Sequence, residues 1–129
     1  MTPRSADELV EEARKGIHRV KPSQLQAVVD AGGLLVDIRP QQQRAEEGTL
    51  PNAIVIERNV LEYRLDPRGG FRLPEVEGYD QQVVIVCSEG YASSLAAASL
   101  TALGFSSAGD LEGGYTGWRA WSEAHSARS

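Results

Sequence analysis

The 129-residue chain has one cysteine, Cys87, so no intramolecular disulfide can form. That suits a reducing compartment. Aromatic residues make up only 6% of the chain, which leaves Leu, Val, Ile and Ala to build the core. No apolar run approaches the ~18 residues that a membrane-spanning helix needs. The first ten residues lack an apolar stretch and carry Asp7 and Glu8, which argues against a secretory leader. Basic residues are outnumbered 13 to 18 by acidic ones, for a net charge of −5, and no Lys/Arg cluster offsets this locally. Such a chain gains nothing from counterion release, so nucleic acid and anionic membranes are set aside as partners. His18 and His125 lack metal-ligand spacing, and neither suggests a metal site. The expectation is a soluble, cytoplasmic protein.

What is present is an ordinary globular composition, 41% apolar and 24% charged, at a length suited to one compact domain. Ser5 followed by Glu8 predicts a capping box, and Leu9, Val10 and Ala13 give a weakly amphipathic first helix ending near Gly16. A short strand is expected over 17–20. Pro22 opens a second helix, which Gly32 and Gly33 stop. Residues 34–38 and 83–86 are continuously apolar, the pattern of parallel strands covered on both faces. Further strands are expected over 53–56 and 108–111. Helices are expected over 40–47, near 59–64, over 93–103 and around Trp118 and Trp121. Strands alternating with helices predict an α/β fold with a mainly parallel sheet of about five strands and helices on both faces. The chain divides into a helical extension over 1–16, a domain over 17–122 and a polar, frayed tail over 123–129.

Cys87 ends an apolar strand, and a helix begins about six residues later. Open α/β sheets place ligand sites at that end of their strands. If the segment Cys87-Ser88-Glu89-Gly90-Tyr91-Ala92-Ser93 curls around the sulfur, its backbone N–H groups form an anion-binding nest. The positive end of the following helix adds to it, and both favour thiolate, the nucleophilic form. Cys87 is expected to be partly exposed, with its sulfur facing several amides of 88–93. The bland alternative is an inert cysteine packed as a small hydrophobe.

Four segments occur in order. They are Leu35-Val36-Asp37-Ile38-Arg39, Gly48-Thr49-Leu50-Pro51-Asn52-Ala53, Val84-Ile85-Val86-Cys87-Ser88-Glu89-Gly90, and Leu111-Glu112-Gly113-Gly114-Tyr115-Thr116-Gly117-Trp118. Together they resemble the rhodanese homology domain, from about Val20 to Trp121. The resemblance implies a single-domain sulfurtransferase without metal or organic cofactor. In it Cys87 takes up sulfane sulfur as a persulfide and passes it to a thiol or other nucleophile. The partners implied are a small donor, thiosulfate or a thiol persulfide, and a thiol or protein acceptor. The family's loop positions fall on Ser88, Glu89, Gly90, Tyr91, Ala92 and Ser93, the substrate-binding candidates. Asp37 and Arg39 fall where the family braces its active site, and a structural ion pair is the favoured role. Two departures stand out. Many rhodaneses have arginine at the fifth position after the cysteine, here Ala92, and a basic residue directly after it, here Ser88.

Arg58 follows another strand and reads as an ordinary solvated arginine. Trp118 and Trp121 read as core residues, and Tyr91 as either a pocket wall or a partner contact. Two other functions remain in play. One is a noncatalytic module that binds a partner or senses oxidation or sulfur through Cys87. The other is a cysteine phosphatase, which needs arginine at the sixth position after the cysteine, where this chain has Ser93.

Overall fold

The computed structural model describes residues 2–126. Five parallel strands form one sheet: β1 (His18–Val20), β2 (Leu34–Asp37), β3 (Ile54–Val55), β4 (Val83–Val86) and β5 (Ala108–Leu111), in spatial order β1-β5-β4-β2-β3. Among the described residues, six α-helices connect and cover them: α1 (Ala6–Arg14), α2 (Leu25–Asp30), α3 (Gln41–Glu47), α4 (Leu61–Leu65), α5 (Ala92–Leu103) and α6 (Gly114–Ser126). The expected α/β architecture is present.

The apolar runs of β2 and β4 are two-sided. Leu34, Val36, Val83, Ile85 and Cys87 join one core with Ala96, Ala97 and Leu100 of α5. Leu35, Val84 and Val86 join a second core with Leu25 and Val28 of α2 and Tyr115 of α6. The period-2 alternation of a strand thus sends neighbouring residues into opposite cores. That burial fixes β4 at the sheet centre and sets Cys87 at its carboxyl end.

The predicted capping box is present at α1: the Glu8 N–H donates to Ser5 Oγ, and the Ser5 N–H donates to the Glu8 carboxylate. Hydrogen bonding from the Ser5 backbone N–H, and from its side chain, holds the exposed Glu8 carboxyl below its ordinary value. The helix docks against α5, burying Val10. The far end of the chain differs from expectation. Helix α6 continues to Ser126, so residues 123–126 are helical. Within it the Arg119–Glu123 ion pair and the His125 ring stacked on Trp121 tie successive turns together. Residues 127–129 of the expected tail lie outside the described residues. Trp118 and Trp121 are half-buried; they line a groove of about 330 Å³ with Leu25, Val29, Leu50 and Pro51.

Candidate active site

The chain leaves β4 at Val86 and enters α5 at Ala92, and the turn between wraps around the cysteine sulfur. The N–H groups of Gly90 and Ser93 donate to Cys87 Sγ at 3.2 and 3.3 Å. Ser93 is the second residue of α5, and the N-cap residue Tyr91 supplies no side-chain cap. The sulfur therefore takes the capping position, where a negative charge is favoured. Gly90 has φ +91°, a conformation that costs a side-chain-bearing residue free energy. Cys87 is 8% exposed, less open than expected, and two amides rather than several reach its sulfur. It nevertheless lines a cleft of about 410 Å³ together with Ala92, Ile38, Pro40, Glu57 and Arg58.

The paired glycines after β5 support the loop from below. The N–H groups of Tyr115 and Thr116, at the start of α6, donate to the carbonyls of Cys87 and Ser88 at 2.8 and 3.0 Å. A Cβ on Gly114 would lie 2.6 Å from both carbonyl oxygens, so only glycine lets the two segments approach. The Gly-Gly motif is thus part of the cysteine loop's foundation.

The candidate loop residues have different fates. Ser88 Oγ turns to the Glu47 carboxylate, at 2.9 and 3.0 Å, away from the sulfur. Glu89 is exposed. Tyr91 is 54% exposed and lies against the Arg14 guanidinium, 5.5 Å from ring centroid to Cζ. Ala92 is exposed in the cleft wall. The Ser93 side chain is fully buried and donates to Asp110 at 2.7 Å, so only its backbone faces the sulfur.

Asp37 and Arg39 meet at the end of β2, both 1% exposed. Arg39 grips Asp37 through Nε and Nη2, the shortest contact being 2.7 Å. It also donates to Glu47 and to the Gly48 carbonyl, and its guanidinium lies 4.1 Å from the Tyr115 ring centroid. Burial opposes its charge, but the bonds to Asp37 and Glu47 outweigh that and hold its pKa above the ordinary arginine value. Every guanidinium nitrogen is committed to protein. Through Glu47, the same network reaches Ser88 next to the cysteine.

A second buried network escaped sequence reasoning. Asp110, wholly buried in β5, accepts from Arg19 Nε at 3.0 Å and from the hydroxyls of Ser93 and Ser94 at 2.7 and 2.8 Å. Arg19 and Arg14 both donate through Nη2 to the Gly90 carbonyl, at 3.0 and 2.8 Å. In a trans peptide, C=O and N–H point in opposite directions. Gripping the Gly90 carbonyl therefore also fixes the orientation of the peptide plane it shares with the Tyr91 N–H. The sequence held one signal for this: an aspartate inside a buried strand needs a partner. Only the β1–β5 register, which sets Arg19 opposite Asp110, names it.

A parallel α/β sheet with a nested cysteine at its centre defines the class, and sequence comparison agrees. The rhodanese-like domain profile matches residues 21–120, and the chain belongs to that family. A thiosulfate sulfurtransferase GlpE from Pseudomonas syringae pv. syringae is 32% identical over 101 residues, spanning 78% of this chain and 86% of that protein. Among solved structures, a Rhodopseudomonas palustris protein of unknown function, described as a possible tyrosine phosphatase, aligns with TM-score 0.82 at 25% identity. It covers 94% of this chain and 93% of its own. The human single-domain sulfurtransferase TSTD1 aligns with TM-score 0.67 at 25% identity, over 79% of this chain and 95% of its own. No helix among the described residues is long and apolar enough to cross a membrane.

Proposed function

We propose that the protein is a sulfurtransferase in which Cys87 carries the sulfur. The observation that carries this reading is the pair of amide donors on Cys87 Sγ, at 3.2 and 3.3 Å, beside an open cleft. N–H groups already fixed on Sγ stabilise a thiolate there without reorganising during the reaction. The thiolate attacks the outer sulfur of the donor. A new S–S bond forms as the donor's own S–S bond breaks, and the leaving group departs with the electron pair; from thiosulfate it is sulfite. An acceptor thiolate then attacks the outer persulfide sulfur, which leaves Cys87 as thiolate again. Splitting the transfer in two is covalent catalysis, and no separate general base is required once the thiol has ionised. Relatives named thiosulfate sulfurtransferase support the reaction class. Ser88, Glu89, Gly90, Tyr91, Ala92 and Ser93 form the donor-binding loop in this proposal, chiefly through their backbone, while Asp37 and Arg39 brace it. A cytoplasmic setting, where a lone thiol stays reduced, belongs to the same reading.

The phosphatase reading lacks its central group. The position that would carry the phosphate-gripping arginine is Ser93, whose hydroxyl is bound to buried Asp110. The noncatalytic reading draws on the uncharged Ala92 in the cleft wall. Intact mass spectrometry after exposure to thiosulfate and to a thiol persulfide separates them. A one-sulfur adduct absent from Cys87→Ser, and discharged by added thiol, is the expected result. An unmodified wild-type protein with every donor would refute the transferase reading.

A further inference from the structure

Sulfur transfer from an anionic donor raises a charge problem in this cleft. A thiolate and an approaching oxyanion repel, and the loop supplies no cation at Ala92. Arg39 lines the cleft, but its side chain is wholly buried, with all three guanidinium nitrogens engaged by Asp37, Glu47 and Gly48. Arg14 and Arg19 are tied to the outward-facing Gly90 carbonyl. Arg44 donates to the Arg39 carbonyl and is not part of the cleft wall.

Arg58 differs from these four. It lines the same cleft as Cys87 and Ala92, and 43% of its side chain is exposed. Its hydrogen bonds all leave from one nitrogen, Nη1, at 3.0 Å to each carboxylate oxygen of Glu62. Glu62 is itself held by the Ser99 hydroxyl of α5, so Arg58 is anchored at one corner. Its Nε–Nη2 edge has no protein acceptor among the described residues. That is the edge with which Arg19 and Arg39 grip their aspartates. Two parallel N–H donors on that edge match the oxygens of a carboxylate, sulfonate or similar oxyanion. Glu57 is the opposing charge in the cleft wall; as an exposed carboxylate it keeps its hydration, whereas Arg58 is pinned.

We propose that Arg58 is the anion-recognising residue of this cleft, standing in for the missing loop arginine. It binds the oxyanion end of a small sulfur donor while the outer sulfur faces Cys87. This rests on the reading of Cys87 as the sulfur acceptor. In the transfer from thiosulfate, the Cys87 thiolate forms the new S–S bond, the donor's S–S bond breaks, and sulfite leaves with the pair. Arg58 neutralises the charge that collects on the departing oxyanion.

The test compares thiosulfate with freshly generated 2-hydroxyethyl persulfide, whose leaving group has no oxyanion. Arg58→Gln is expected to lower kcat/KM for thiosulfate about 10- to 100-fold, the loss of one charge-assisted contact. Turnover of the uncharged-tail persulfide is expected to change less than about threefold, because that donor never used the contact. The fall of thiosulfate kcat/KM with added salt is expected to flatten in the same variant. Equal losses for both donors would mark Arg58 as merely structural, and unchanged thiosulfate turnover would exclude it altogether; either outcome overturns the proposal. A binding arm keeps the two readings apart. Thiosulfate titrated into Cys87→Ser by calorimetry is expected to bind, and to bind at least tenfold more weakly in Cys87→Ser/Arg58→Gln. Binding that depends on Arg58, with no sulfur adduct in the wild type, would sink the transferase reading and keep the anion site. An adduct with binding indifferent to Arg58 would do the reverse.

Discussion

Arg19→Met removes the cation from a carboxylate that no water reaches. Asp110 is 0% exposed, and Arg19 is its only charged partner among the described residues, gripping both oxygens at 3.0 and 3.3 Å. Removing one member of a buried pair costs roughly 3–5 kcal/mol. Here the Ser93 and Ser94 hydroxyls still donate to Asp110, and the Arg19 side chain is 23% exposed, so water can enter behind a shorter residue. Both effects put the expected loss at the low end, about 3 kcal/mol. For a domain of this size that corresponds to a fall in Tm on the order of 10 °C. The same change releases one of the two guanidinium clamps on the Gly90 carbonyl, so persulfide formation at Cys87 should slow as well. Urea denaturation of the wild type, Arg19→Met, Asp110→Asn and the double variant supplies the measurement. The double variant should lose less than the sum of the singles by about 1–3 kcal/mol, because its second change removes the charge that the first left stranded. A loss under about 1 kcal/mol for Arg19→Met, the worth of an exposed pair, would refute the account of a buried hub.

Three further outcomes follow from other parts of the site. Gly90→Ala forces a side chain into φ +91° and sets its Cβ 3.0 Å from the Gly113 nitrogen, so a stability loss of about 1–3 kcal/mol and slower adduct formation are expected by denaturation and mass spectrometry. Arg39→Lys keeps the charge but loses the two-pronged grip on Asp37 and the contact with the Tyr115 ring; a Tm drop of several degrees is expected, and an unchanged melt would show that a point charge suffices. Glu62 is pushed up by burial, but the Ser99 hydroxyl, the helix backbone and Arg58 together hold its carboxyl below the ordinary 4.5. A lowered folded-state pKa adds stability that is present above the unfolded value and lost as pH falls through the folded one. The stability gap between wild type and Glu62→Gln should therefore narrow as pH drops below about 4.5; a gap constant across the acid range would contradict this.

These outcomes separate what the sequence could say from what it could not. The runs at 34–38 and 83–86 announced two-sided parallel strands because burial on both faces removes polar alternation. Cys87 was legible as a strand-end residue before a glycine-bearing turn, since those features are local. Asp37 and Arg39 lie two apart, so period-2 geometry already sets them on one side of a strand. The Arg14, Arg19 and Asp110 contacts belong to another order of distance, bridging 76, 71 and 91 positions. No periodicity reaches that far, and the pairing depends on which strands lie side by side. The α6 extension was hidden for a related reason: a polar stretch reads as a tail, but its i,i+4 pair and a stacked ring are helical contacts.

The region most easily taken for an appendage shows the consequence. Read as an extension, 1–16 had no duty toward the site. In the fold, Arg14 at the end of α1 donates to the Gly90 carbonyl at 2.8 Å, in the turn that holds the sulfur, and to Ser94 Oγ of α5 at 3.0 Å. Its guanidinium also lies against Tyr91. Local sequence can supply the nest, because a glycine and a helix start suffice to curl it. The Gly90 carbonyl of that nest is also gripped by Arg14 and Arg19, residues that only the tertiary fold brings within reach. The cysteine loop is therefore specified twice, once by its own residues and once by arginines more than seventy positions away.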